Sequence, residues 1–160
     1  MTNDSEYDQL DELDRMILAE LSLDGRMSVA ALAKKLGISK TPCSIRFKRL
    51  VSEEFIVGFR AVLNHEKIDQ NHVAFVEVKL EDTTEAALRA FDAAVGSVPE
   101  LEQCFLIAGS FDYLLKVRTK DMRAYRQVFV KSISELPHVA SVSTYVAMET
   151  VKEPRLNPVL

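Results

Sequence analysis

The spacing of apolar residues changes partway along this chain, and that change bounds the folds open to it. In the first third, apolar positions recur at helical intervals. Leu10, Leu13, Ile17 and Leu21 fall at i, i+3, i+7 and i+11, one face of a helix that Asp24-Gly25 stops. Ser28 can cap a second helix carrying Val29, Leu32, Ala33 and Leu36, closed by Gly37. Thr41 reads as the cap of a third helix, with Pro42 at its first position and an apolar face of Cys43, Phe47 and Leu50. Phe55 to Leu63 then reads as a short hairpin or connecting strand.

From residue 72 the pattern alternates strand and helix. His72–Leu80 alternates apolar and polar residues at its end. Thr83–Val98 carries Leu88, Phe91 and Val95 at helical spacing, and Pro99 ends it. Leu101–Ala108 and Tyr113–Thr119 read as strands around a Gly109-Ser110-Phe111-Asp112 connection. Asp121–Leu136 places Met122, Tyr125, Phe129, Ile133 and Leu136 on one helical face, and Val139–Val151 is a last strand. The order βαββαβ is the ferredoxin-like arrangement. The expected class is therefore α+β. A helix-turn-helix domain, winged-helix-like, spans 1–63 with its motif at about 29–48, 64–71 is a linker, and a βαββαβ domain spans 72–160.

Composition and charge narrow the function. With 160 residues, 48% hydrophobic and 28% charged, the chain is globular and has room for one or two small cores. No apolar run approaches the ~18 residues that span a bilayer, and the acidic start lacks a signal pattern, so a cytoplasmic protein without a membrane partner is expected. Two separated cysteines, Cys43 and Cys104, suggest a reducing compartment and neither a disulfide framework nor a zinc site. The net charge of −4 conceals a polarised distribution: residues 1–25 carry −7, residues 26–60 carry +6 and residues 64–160 carry −3. Phosphate binding responds to potential within about 8 Å in physiological salt, so the basic block can serve DNA on an acidic chain. The plainer alternative is a solvated basic face with no partner.

Helix, tight Gly37-Ile38-Ser39 turn, helix is the layout in which the second helix enters a major groove. At about 100° per residue, Cys43, Phe47 and Leu50 point one way. Thr41, Ser44, Ile45, Lys48, Arg49 and Ser52 face away, with Arg46 on the flank. Cations on that face can reach phosphates or guanine, and hydroxyls can bond backbone or bases. Ile45, an isoleucine in a polar face, fits a thymine methyl, a neighbouring domain or ordinary surface scatter. The candidate DNA-contacting set is Ser39, Lys40, Thr41, Ser44, Ile45, Arg46, Lys48 and Arg49.

In the second half, the Gly109–Asp112 turn offers both ends of a zwitterion a partner. Backbone N–H groups in a tight turn can hold a carboxylate, and Asp112 can pair with an α-ammonium. A plain hairpin turn, with Gly and Asp serving geometry, explains the same residues and is favoured on spacing alone. Apolar residues on both faces of the expected sheet, among them Val73, Phe75, Val76, Val78, Tyr113, Leu114 and Leu115, suggest self-association.

Taken together these segments resemble the Lrp/AsnC (feast/famine) transcriptional regulators, most nearly the leucine-responsive branch. The likeness rests on Asp14-Arg15 with Ile17-Leu18, Asp24-Gly25-Arg26, Leu36-Gly37-Ile38-Ser39, Thr41-Pro42-Cys43, Arg46 and Lys48-Arg49-Leu50. It continues through Gly109, Phe111–Val117, Asp121-Met122, Leu136-Pro137 and Thr144-Tyr145-Val146 with Met148-Glu149. Ser44 and Ile45 stand where the family often has larger or charged residues, so no operator sequence carries over. The resemblance implies dimers that pair sheets and often octamers or similar rings of dimers. It also implies an amino-acid effector bound between dimers at the turn. Gly109, Ser110, Phe111 and Asp112 would form that site, with Leu106, Thr144, Tyr145 and Met148 lining it or coupling it to assembly. Leucine, another branched-chain residue, proline and alanine are all open as effectors. The expected function is a DNA-binding regulator of amino-acid metabolism, with no cofactor beyond the effector.

Three other classes fit less well. His65, His72 and His138 make no HxxxH or HExxH spacing, and no Walker loop, GxSxG or GxGxxG is present, so an enzyme is not expected. RNA-recognition domains share the βαββαβ order but carry a K/R-G-F/Y-G/A-F signature, which no segment matches. An architectural DNA-packaging protein of the same fold, without effector response, is the alternative that amino-acid titration would separate.

Overall fold

Asp11 opens the first helix, α1 (Glu12–Leu23), through a reciprocal cap. Its carboxylate accepts the Asp14 N–H at 2.9 Å, and the Asp14 carboxylate accepts the Asp11 N–H at 3.2 Å. The computed structural model describes residues 10–152. Ser28 caps α2 (Val29–Lys35) by accepting the Ala31 N–H at 3.1 Å. The turn into α3 (Lys40–Ser52) is a Schellman closure: Ile38 N–H bonds Ala33 C=O at 3.0 Å and Gly37 N–H bonds Lys34 C=O at 3.3 Å. Gly37 sits at φ +68°, where a side chain would be strained. Leu10, Ile17, Leu21, Leu32, Ala33, Cys43 and Leu50 form the small core of this three-helix unit.

Two expectations for this region fail. The cap of α3 is Ser39, not Thr41, and Pro42 sits at the third helical position. Its missing N–H costs nothing there either, because the first-turn donors have no intrahelical partner. Nor do residues 55–63 form a hairpin or strand. Phe55 and Ile56 fold back onto the helical core. Phe59 stacks on Phe47 with centroids 6.3 Å apart and lies where a Cβ on Gly25 would come within 2.9 Å of its ring. Apolar anchoring at Phe59, rather than a ladder, holds the segment.

The chain divides between Val62 and Leu63 into two compact units. The second contains β1 (His72–Leu80), α4 (Glu85–Val95), β2 (Leu101–Leu106), β3 (Tyr113–Thr119), α5 (Met122–Lys131), a 3-10 turn (Ile133–Glu135) and β4 (Val139–Val146). The sheet is antiparallel in the order β2-β3-β1-β4, the ferredoxin-like topology. Strand alternation sends Ala74, Val76, Val78, Tyr113, Leu115 and Val117 into one core with Phe91, Tyr125, Val128 and Ile133 from the helices. Phe91 and Tyr113 stack at 4.3 Å, and the Tyr113 hydroxyl donates to Asp92 at 2.8 Å. Phe75, Glu77, Leu114, Lys116 and Tyr145 occupy the opposite face by register.

The last strand is shorter than expected. Its ladder ends with Val146 opposite Ala74 and one further bond from Ala147 N–H to Val73 C=O at 2.9 Å, because β1 has only His72 left to offer. The α5 pattern is also corrected. Met122 is exposed and Val128 is buried, while a break at Ser132 turns Ile133 and Leu136 inward.

Candidate nucleic-acid interface and ligand-binding turn

The face of α3 away from its core is small, polar and cationic. Lys40, Thr41, Ile45, Lys48 and Ser52 are exposed and Ser44 is half-buried. Ser39 makes no side-chain capping bond. Ile45 is 64% exposed in the middle of this surface. Cys43 is fully buried against α2, so it is a core residue. Cys104, packed on the other core, has its thiol pushed up to about 11, first by burial and then by Asp92, and stays protonated at neutral pH.

The two arginines are not free outward cations. The Arg46 guanidinium donates to Asp14 at 2.9 Å and to Asp11 at 2.6 Å, and Arg49 donates to the other Asp14 oxygen. Asp14 is 1% exposed, Arg46 and Arg49 about a third. The hydrogen bonds to Asp14 hold both guanidiniums above their ordinary range, with Asp11 adding to Arg46. Arg49 keeps about a third of its side chain exposed while it is paired. A carboxylate placed among core residues must be paired, and α3 supplies both partners. Sequence reasoning overlooked Asp11 and Asp14 as parts of this surface. The signal was present: Asp14 sits four residues after Leu10 and three before Ile17, a slot belonging to the buried stripe. Lys35 is likewise paired, with Glu20. Among the described residues, the positive charge of the α3 face left without an ion pair is therefore carried by Lys40 and Lys48.

The other candidate site is the β2–β3 connection. Asp112 locks it to β1: its N–H bonds Val78 C=O at 2.9 Å and its carboxylate accepts the Leu80 N–H at 2.8 Å. The Ile107 N–H bonds Asp112 C=O at 2.8 Å. The carboxylate read as a partner for an ammonium thus already serves the sheet through one oxygen. Gly109 and Ser110 are exposed and Phe111 half-buried. Gly109 lacks the left-handed conformation, and a Cβ there would meet only Ile107 Cγ2 at 3.4 Å. Turn geometry alone does not demand glycine at this position.

Leu106, Tyr145 and Met148 are exposed. Thr144 points to the helical side, where its hydroxyl lies 2.6 Å from that of Tyr125. The structure does not bring these residues together within one chain. Leu106 is on β2 and Thr144 and Tyr145 on β4, opposite edges of the sheet with β3 and β1 between them. Three strand spacings separate them by about 14 Å. Among the described residues, no group of His, Cys, Asp or Glu could hold a metal, and no helix is long and apolar enough to cross a membrane.

Known proteins share both units. A winged helix-turn-helix DNA-binding family model matches residues 10–57, and an Lrp/AsnC ligand binding domain model matches residues 73–156. A proline dehydrogenase transcriptional activator of Rhizobium radiobacter is 56% identical over 96% of this chain and 98% of its own. The leucine-responsive regulatory protein of Salmonella typhimurium is 44% identical over 90% of this chain and 88% of its own. Among solved structures, an AsnC family transcriptional regulator from Agrobacterium tumefaciens matches with a TM-score of 0.83 and 33% identity, covering 90% of this chain and 94% of its own. A transcriptional regulator from Neisseria meningitidis, solved as an L-Met complex, matches at 0.81 and 27%, covering 90% and 93%.

Proposed function

The chain belongs to the Lrp/AsnC family of transcriptional regulators, and from that premise we propose how its own residues divide the work. The observation carrying the proposal is the exposed, cation-bearing face of α3. Lys40 and Lys48 meet phosphates, the Ser39, Thr41 and Ser44 hydroxyls reach backbone or base edges, and Ile45 packs on a thymine methyl. Arg46 and Arg49 flank that face, held by Asp14 and about a third exposed.

The effector is an amino acid held by the Gly109–Asp112 turn of one copy and the Thr144–Met148 segment of another. The opposite sheet edges support this reading, because one chain cannot close both halves around a small molecule. Self-association through the sheet is supported by Phe75, Phe105 and Tyr145, exposed on the face that α4 and α5 leave open. Proline is the effector we favour, since the relatives sharing 56% and 48% identity are named as activators of proline dehydrogenase. A protein controlling a catabolic gene gains from sensing the substrate of that gene's product. Effector binding shifts the balance between assemblies, and altered spacing of recognition helices changes which half-sites are engaged together. The chain itself has no catalytic role in this reading.

The test is DNA binding and light scattering of the full chain with and without L-proline, L-leucine and L-alanine. The expected result is a change in assembly and duplex occupancy with L-proline. No response to any amino acid would instead favour the architectural alternative.

A further inference from the structure

Asp11 makes two contacts of different character. One carboxylate oxygen caps α1 and the other accepts from Arg46 at 2.6 Å. Only the first is needed for the helix. Arg46 is thereby shared between a carboxylate that is 54% exposed and one that is 1% exposed. Asp11, Asp14, Pro42, Ile45, Arg46 and Arg49 line an open cleft of about 400 Å³, and Ile45 is also the exposed apolar residue of the α3 face. An exposed acidic oxygen in front of an arginine, at the rim of a DNA-reading surface, has the chemistry of a phosphate oxygen in a protein–DNA complex.

We propose that Asp11 is an internal competitor of the DNA backbone: Arg46 exchanges the Asp11 carboxylate for a phosphate when α3 docks, while Asp14 keeps hold of both arginines. The inference rests on the proposed assignment of the α3 face to DNA. The two carboxylates differ in how readily they let go. Exposed ion pairs are weak because water screens and replaces them, so Arg46 leaves Asp11 at little cost. Separating Asp14 would strand a buried charge, so the arginines keep their common anchor. The basic face is in this way held below its full attraction for any duplex. Binding is completed only where a phosphate reaches Arg46, and incorrect registers keep a carboxylate facing the backbone.

The experiment uses the full chain and a mixed-sequence duplex across a salt series. Asn caps helices about as well as Asp, so Asp11→Asn removes the charge and retains the cap. The expected result is about 3- to 10-fold tighter binding at low salt, a gain that shrinks as added salt screens the competing carboxylate. Arg46→Ala is expected to cost more affinity in the Asp11→Asn background than in the native one. Glu12→Gln removes a charge from the same turn without touching the Arg46 pair. The proposal is overturned if Arg46→Ala costs the same in both backgrounds. It is also overturned if Glu12→Gln tightens binding as much as Asp11→Asn, or if Asp11→Asn binds no tighter with its melting temperature unchanged. Failure of the underlying face assignment reads differently: Lys48→Ala would then leave affinity and salt slope unchanged.

Discussion

Each unit of this protein sets one carboxylate between two cations, and the two clusters serve their surroundings differently. In the helical unit, Asp14 bonds Arg46 and Arg49 across 32 and 35 residues of sequence and is almost fully buried. In the sheet unit, Glu102 bonds Lys116 at 3.0 Å and Arg118 on the adjacent strand and is more open to water. The sheet already has its register fixed by three ladders and its core by stacked aromatics, so the Glu102 cluster adds to an arrangement that would stand without it. The three-helix unit has no ladder among its described residues and a small core. There a buried ionic node helps specify where α3 sits against α1.

The contrast can be broken from the apolar side first. Phe91→Ala opens a cavity where the ring is fully buried against Tyr113, and is expected to destabilise the chain by about 3–5 kcal/mol in urea unfolding. Asp14→Ala tests the helical unit. A loss of about 2 kcal/mol is expected, below the ~3–5 of a fully buried pair because the stranded guanidiniums can turn to water. Loss of DNA affinity should accompany it, while L-proline binding persists. If Asp14→Ala were as mild as a surface substitution, the claim that an ion cluster places α3 would fail. Asp112→Asn sharpens the comparison at the proposed effector turn. An amide oxygen can still accept the Leu80 N–H, so the fold should be kept while L-proline affinity falls at least tenfold, about 1.4 kcal/mol. An unchanged titration would place the ammonium partner elsewhere.

Which parts of this were legible in the sequence follows from what sets each feature. His72–Leu80 and Tyr113–Thr119 alternate because the sheet has a helix-covered face, so their periodicity carried the strand assignments, and Ser28 and Gly37 marked helix ends by side-chain chemistry alone. The 55–63 segment misled because Phe59 and Val62 look like strand residues. Whether they pair depends on a partner strand, which no local pattern specifies. The Arg46 and Arg49 pairing was hidden for the opposite reason. A helical wheel places Arg49 outward and Arg46 on the flank, but long side chains bend back to a carboxylate that only the tertiary fold brings near. At the Asp112 turn the sequence offered a plain turn and a ligand-binding one. The geometry makes both uses compatible, with one oxygen committed to Leu80.

The smallest expected effect lies at Glu102, and its pH dependence is the more telling part. Burial alone would raise its carboxyl, but hydrogen bonds from Arg118 and Lys116 outweigh that and hold it below the usual glutamate value of 4.5. A group whose folded value is depressed contributes stability above its unfolded value and loses it as pH falls through the folded one. The native chain should therefore shed this contribution only in acid, at and below about pH 4.5, and Glu102→Gln should flatten that part of the stability profile. At neutral pH the variant should lose less than about 1 kcal/mol, because a partly exposed pair beside an intact ladder is screened by solvent. Urea midpoints of both proteins at neutral and acidic pH decide the matter. A neutral-pH loss as large as that of Asp14→Ala would mean the sheet depends on its ionic cluster as much as the helices do, and the distinction between the two units would disappear.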